Sequence, residues 1–253
     1  AFGQLNMSHM ESTSLKDTNK SEIGTPNHTL SWFGRVNYSY LSRYLFTATF
    51  RADGSSKFAP NNHWGYFPAA AAAWRISDEP WMKGTQDWLS NLKLRLSYGV
   101  SGNNNIPSGQ TSRTYSIKES SWLHLQNSWL TTGNAMSNPD LKWETTHSLN
   151  LGIDFGFFNN RISGSIDWYN KKSNDLLYNV TLPYEAGAIT MKTNIGSVRN
   201  RGIEANVTGV IIQNKDLNWT VTANYAHNSN HVLEIDGTGN NILSGHYNDN
   251  LFM

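Results

Sequence analysis

Between Glu144 and Asn170 the chain alternates apolar and polar residues with a period of two. Leu149, Leu151, Ile153 and Phe155 hold every second position, with Ser148, Asn150, Gly152 and Asp154 between them. After Phe157-Phe158-Asn159-Asn160 the alternation resumes, with Ile162, Ile166 and Trp168 set against Ser163, Ser165 and Asp167. A period of two places each set on one face of a sheet, so the stretch predicts two strands joined by a tight turn.

The same pattern recurs on both sides of this hairpin. Leu30, Trp32, Val36, Tyr38 and Tyr40 form one face of a strand, and after a turn near Leu41-Ser42-Arg43 so do Tyr44, Phe46, Ala48 and Phe50. Trp64, Tyr66, Ala70, Ala72 and Trp74 form the next; Pro68 within it lacks a ladder donor and suits a bulge or an edge. Leu92, Leu94, Leu96, Tyr98 and Val100 alternate with Lys93, Arg95, Ser97 and Gly99. The last pair uses Ile203, Ala205 and Val207, then Trp219, Val221, Ala223 and Tyr225, around a turn at Gln213-Asn214-Lys215-Asp216.

About eight strands result, between residues 29 and 228, and short turns alternate with longer polar connections. Residues 1–28 and 229–253 read as polar loops. So does a Gly/Asn/Ser-rich excursion over 101–143, and a further loop is expected over 171–193. Long structureless loops count against a compact soluble domain. On the outer side of a membrane barrel they are the rule, opposite short periplasmic turns.

Depth along the strands sharpens this reading. With the short turns placed in the periplasm, Trp32, Phe50, Trp64, Tyr66, Tyr98, Trp168 and Tyr225 gather near the outer rim. Tyr38, Tyr40, Tyr44, Trp74, Phe155 and Trp219 gather near the inner one, and aliphatic or alanine residues lie between. Two aromatic girdles around an aliphatic band suit a lipid-facing surface. A soluble β-sandwich explains the alternation but not the sorting of rings to strand ends. The expected fold is therefore all-β: an antiparallel transmembrane β-barrel segment of about eight strands.

Composition is compatible with this and narrows the chemistry. Only 38% of the 253 residues are hydrophobic, yet 12% are aromatic, which argues against a disordered chain. A net charge of +1 gives no reason to expect a nucleic-acid partner. The absence of cysteine removes disulfides, thiol catalysis and Cys-ligated zinc. No apolar run approaches the roughly 18 residues of a spanning helix, but barrel strands look hydrophilic on average. Ala1-Phe2-Gly3-Gln4 is neither a start methionine nor a signal peptide, so the chain is expected to be a processed product or an internal piece of something longer.

Several runs together resemble the barrel region of SusC/RagA-type TonB-dependent outer-membrane transporters of the Bacteroidetes. They include Ser31-Trp32-Phe33-Gly34-Arg35-Val36-Asn37-Tyr38, Arg51-Ala52-Asp53-Gly54-Ser55-Ser56-Lys57-Phe58 and Trp64-Gly65-Tyr66-Phe67-Pro68. Trp74-Arg75-Ile76-Ser77, Asn138-Pro139-Asp140-Leu141-Lys142-Trp143-Glu144, Asp167-Trp168-Tyr169-Asn170 and Asn200-Arg201-Gly202-Ile203-Glu204 follow in the family's order. The resemblance implies part of a plugged barrel of about 22 strands that imports a glycan or an oligopeptide through the bacterial outer membrane. It also implies a SusD-like surface lipoprotein as lid, energy from TonB–ExbB–ExbD through an N-terminal region without counterpart here, and contact with the plug and remaining strands of the same barrel and with the lipid bilayer.

Catalytic motifs are missing: there is no Gly-x-Ser-x-Gly, no His-Glu-x-x-His and no phosphate-cradling glycine loop. No catalytic residue, metal ligand or cofactor is expected. His147, His227 and His231 read as polar loop histidines, Asp78-Glu79 as an exposed connector and Asp236-Gly237-Thr238-Gly239-Asn240 as a plain turn. Trp122, Trp129, Tyr115 and His124, in the longest outer loop, either stack on sugar rings or pack that loop against its neighbours or the lid. Arg35, Arg51, Lys93, Arg95, Asp154, Asp167 and Glu204 are expected to face the lumen, lining a solute path or, more simply, pairing with a plug. Two other readings stay open at this point: a self-contained eight-stranded barrel serving as anchor or adhesin, and a soluble carbohydrate-binding β-sandwich.

Overall fold

The computed structural model describes residues 27–112, 115–116, 131–132, 135–186 and 189–235. The chain runs through β1 (Thr29–Tyr40), β2 (Tyr44–Ser55), β3 (Trp64–Arg75) and β4 (Leu89–Asn103). Three short strands follow, β5 (Tyr115–Ser116), β6 (Thr131–Thr132) and β7 (Ala135–Met136). Then come β8 (Glu144–Phe157), β9 (Ile162–Asn174), β10 (Leu177–Thr181), β11 (Thr190–Asn194), β12 (Ser197–Gln213) and β13 (Asn218–Glu234).

Eight of these make one antiparallel sheet in the order β1-β2-β3-β4-β8-β9-β12-β13. Each neighbour in this sheet is the next long strand in the chain, a meander. β1 and β13 do not pair with each other, so the sheet is open. The short strands form two satellites, β10-β11-β7 and β5-β6. No described helix is long and apolar enough to cross a membrane.

Register carries the alternation across the whole sheet, because directly opposed residues share a face. Tyr44 lies opposite Trp74, Trp74 opposite Leu94 and Leu94 opposite Ile153. Ile153 in turn faces Ile166, Ile166 faces Ala205 and Ala205 faces Tyr225. The apolar face is thus continuous, and it is uncovered: Trp32, Val36, Tyr66 and Tyr225 are each more than 60% exposed. A soluble sheet would bury such a surface.

Local chemistry sets the turns and one ladder end. Leu41 and Ser42 take left-handed backbone (φ 51° and 56°), and Arg43 N donates to Tyr40 O to close the β1–β2 turn. Asn159 and Asn160, which tolerate that region, share the β8–β9 turn with Phe158. The β3–β4 ladder stops at Ala69, beside Pro68, which has no N–H to continue it.

The strands are longer than the alternation suggests. β9 continues to Asn174, β12 begins at Ser197, and β13 runs to Glu234 rather than ending near Asn228. The stretch expected as a loop between β9 and β12 holds the β10–β11 hairpin. Beyond the outer girdle both faces are mostly polar and the few apolar residues, such as Val198, Val232 and Leu233, do not alternate, so the period of two vanishes while the backbone ladder goes on.

Candidate functional site on the polar face

The face opposite the apolar one carries the charges. β4, β8 and β9 bring Lys93, Arg95, Asp154 and Asp167 into one ladder. Asp154 accepts from Lys93 Nζ at 2.9 Å and from Arg95 Nη2 at 2.7 Å, and Arg95 Nη2 also reaches Asp167 Oδ1 at 2.9 Å. The last contact crosses β8 over Gly152. A Cβ there would collide with Asp167 Oδ1 and stand 2.8 Å from the guanidinium carbon. Glycine is the opening through which the ladder passes.

Two cations cancel two carboxylates in this ladder. Glu204 stands directly opposite Asp167 on β12 and makes no ion pair among the described residues. Further toward β1, Arg51 Nε pairs with Asp53 Oδ2 at 2.7 Å, and Arg35 Nε donates to Thr49 Oγ1 at 3.2 Å. All seven charged residues singled out from sequence therefore share one face. Five are neutralised within the sheet itself.

Above the ladder, at the long-loop end, lies a recess of about 510 Å³ bordered by Thr49, Arg51, Asp53, Phe67, Ser101 and Trp143, among others. Two of its walls, Phe67 and Trp143, belong to an apolar cluster completed by Phe58, Ile106 and Leu141. The tip of the Phe67 ring stands against Gly102, where any Cβ would meet it. Trp143 Nε1 donates to His63 O at 3.2 Å, joining two outer loops. The side-chain amide of Asn194 accepts from Lys142 N and donates to Lys142 O, both at 2.8 Å. The Asn138–Glu144 run thus fastens the outer loops together.

At the short-turn end, Glu79 corrects the sequence reading of an exposed connector. It is only 5% exposed and accepts from Tyr44 Oη (2.6 Å), Trp74 Nε1 (2.9 Å) and Arg43 Nη1 (2.9 Å). The hydrogen bond from Tyr44, then that from Trp74, holds its carboxyl below the usual carboxylate range. Its partners come from the β1–β2 turn, from β2 and from β3, so no single run of sequence marked the site. His147, His227 and His231 also differ from expectation, since they lie within β8 and β13 rather than in loops. Trp122, His124, Trp129 and the Asp236–Asn240 stretch fall outside the described residues, and Tyr115 opens β5.

A meander with an exposed apolar face, aromatic rims and an ion-paired polar face is a piece of membrane β-barrel wall. The chain belongs to the TonB dependent receptor-like β-barrel family, which matches residues 6–251. It is 38% identical over 222 residues to the TonB-dependent receptor SusC of Bacteroides thetaiotaomicron, covering 86% of this chain and 22% of that protein. A TonB-dependent receptor of Formosa agariphila is 39% identical over 224 residues, covering 87% of this chain and 21% of that protein. Among solved structures the RagAB peptide transporter superposes with a TM-score of 0.75 at 31% identity, covering 85% of this chain and 23% of that one. The chain spans about a fifth of the length of the curated relatives it matches. Family membership places it in the outer membrane and removes the soluble sandwich. These relatives are receptors and transporters, not enzymes.

Proposed function

We propose that this chain forms part of the wall of a TonB-dependent importer that carries a large nutrient, a glycan or an oligopeptide, across the outer membrane. The observation that carries this reading is the self-neutralised polar face. A wall whose charges cancel in pairs presents polar groups to a passing solute without a strong field of one sign. The 38% identity to SusC and the likeness to a peptide transporter support the same class. In this reading a SusD-like lipoprotein caps the outer loops, a plug fills the lumen, and TonB–ExbB–ExbD supplies energy through a region outside this chain.

Trp122 and Trp129, with Tyr115 and His124, are the proposed ligand contacts, because indole faces stack on apolar faces of sugar rings and on peptide side chains. Uptake of labelled glycans and oligopeptides by cells carrying the full-length transporter tests both points. Loss of one class on gene deletion supports the reading, and undiminished uptake of every class defeats it. The Trp122→Ala/Trp129→Ala double variant should bind the imported solute roughly tenfold more weakly, given about 0.5–1.5 kcal/mol per aromatic contact. Unchanged affinity would return these residues to loop packing.

A further inference from the structure

The outward face of β8, β9, β12 and β13 changes character just beyond the outer girdle. At the level of Trp168 it is apolar on three strands, with Leu151, Trp168 and Ile203 in register and His227 of β13 closing the row. One step further out, Leu149, Asn170, Arg201 and Ser229 face one another in turn. The next step is a row of His147, Lys172, Arg199 and His231, each directly opposite the next on adjacent strands. The row contains no carboxylate.

Such a row is unfavourable as it stands. Like charges directly opposed across a ladder repel, and Lys172 and Arg199 are register partners. Neither they nor Arg201 makes an ion pair with a described carboxylate. Arg199 Nε is enclosed and has no hydrogen-bond partner among the described residues. Arg201 is exposed. On the polar face, by contrast, Arg51, Lys93 and Arg95 each meet a carboxylate, while Arg35 donates to Thr49 Oγ1 and Lys171 lies over the Tyr169 ring.

Position says what neutralises them. Aromatic girdles sit at the headgroup level, and Lys172 lies four residues beyond Trp168 on the same face. With a rise of about 3.3 Å per residue and a strand tilt of about 40°, that is roughly 10 Å above the ring. The row therefore stands at the upper edge of the headgroup layer, where long basic side chains reach back toward it, and the patch is continuous with the lipid-facing band below. We propose that Lys172, Arg199 and Arg201, flanked by His147 and His231, bind the phosphorylated headgroup of an outer-leaflet glycolipid on the outside of the barrel. Tyr98 Oη, 2.8 Å from His147 Nδ1, fixes one end of the row to the girdle. Phosphate oxygens meet guanidinium and ammonium donors through charge-assisted hydrogen bonds, while the acyl chains lie on Leu151, Ile153 and Val207.

The inference rests on the proposed outer-membrane orientation, with the long loops outside. Its test uses the full-length transporter extracted from outer membranes in mild detergent, with retained phosphoglycolipid counted by native mass spectrometry. Wild type and a charge-keeping Lys172→Arg/Arg199→Lys/Arg201→Lys variant should retain it. Lys172→Gln/Arg199→Gln/Arg201→Gln should retain at least tenfold less. Added dephosphorylated glycolipid should not bind, and millimolar inorganic phosphate should not displace the native lipid. Equal retention by the glutamine variant, equal binding of dephosphorylated lipid, or displacement by phosphate alone would each overturn the site. Should the triple variant not assemble, Arg201→Gln alone should lose about threefold, and no loss would count equally against it. If instead wild-type protein is absent from outer-membrane fractions, the orientation fails, not the phosphate chemistry.

Discussion

Arg95 and Asp167 meet at 2.9 Å across an intervening strand, through the space left by Gly152. Few pairs in the sheet depend so directly on a missing side chain. Gly152→Ala should push the two apart and leave Asp167 facing Glu204 with no cation between them. The expected loss is about 1–2 kcal/mol, the worth of one charged hydrogen bond in a partly exposed site. Urea unfolding of the full-length protein followed by tryptophan fluorescence measures it. Gly34→Ala is the control, since a Cβ there meets nothing within 4 Å.

Leu94 and Arg95 are neighbours on opposite faces, which makes them a test of which face meets lipid. Leu94→Arg should block assembly, because a midplane arginine on the lipid face costs about 2–4 kcal/mol. Arg95→Leu should still insert, as alternation alone suggests. The ladder adds that its urea midpoint will fall, since two carboxylates lose their shared partner. Heat-modifiable protein in membrane fractions separates the two outcomes, and equal tolerance of both changes would refute the register.

Glu79 gives the short-turn end a defined pH response. Its folded-state pKa is depressed, so its contribution is fully present above the unfolded carboxylate value and is lost as pH falls through the folded one. Amide protection factors at the β1–β2 and β3–β4 turns, that is exchange rates normalised to the intrinsic rate at each pH, should therefore fall on acidification. In Glu79→Gln that acid-induced step should disappear and exchange should be faster at neutral pH. A wild-type-like acid step in the variant would assign the response to another group.

Leu141 is fully buried beneath the outer loops. Leu141→Ala should cost the loop assembly about 2–5 kcal/mol. Exchange should rise over residues 56–63 and 138–143 while the β1–β2 ladder stays protected. Protection lost uniformly would show that the loops and wall unfold as one unit.

The architecture was legible wherever one face had to be apolar. The period of two from Leu149 to Phe155, or from Leu92 to Val100, follows from contact with lipid, and the structure keeps that register. Strand ends beyond the girdle were not legible, because Asn228 to His231 is polar on both faces, Val232 and Leu233 put one apolar residue on each, and only the ladder marks the segment as strand. Glu79 was hidden for another reason. Its partners Arg43, Tyr44 and Trp74 lie on other elements, and pairing across a sheet is not written in local sequence. The charged residues were found, but not how they connect. The passage of Arg95 to Asp167 depends on a glycine whose meaning appears only once three strands lie side by side.

The meander has a consequence for how the wall is built. Each long strand docks beside its predecessor, so an error of one residue in any hairpin inverts every side chain that follows. Slipping β4 against β3 by one would turn Lys93 and Arg95 toward the hydrocarbon and Leu94 and Leu96 toward water. Each misplaced arginine alone costs about 2–4 kcal/mol at the midplane. The bilayer therefore acts as a proofreader of strand pairing, rejecting each wrong alignment as it is offered, hairpin by hairpin.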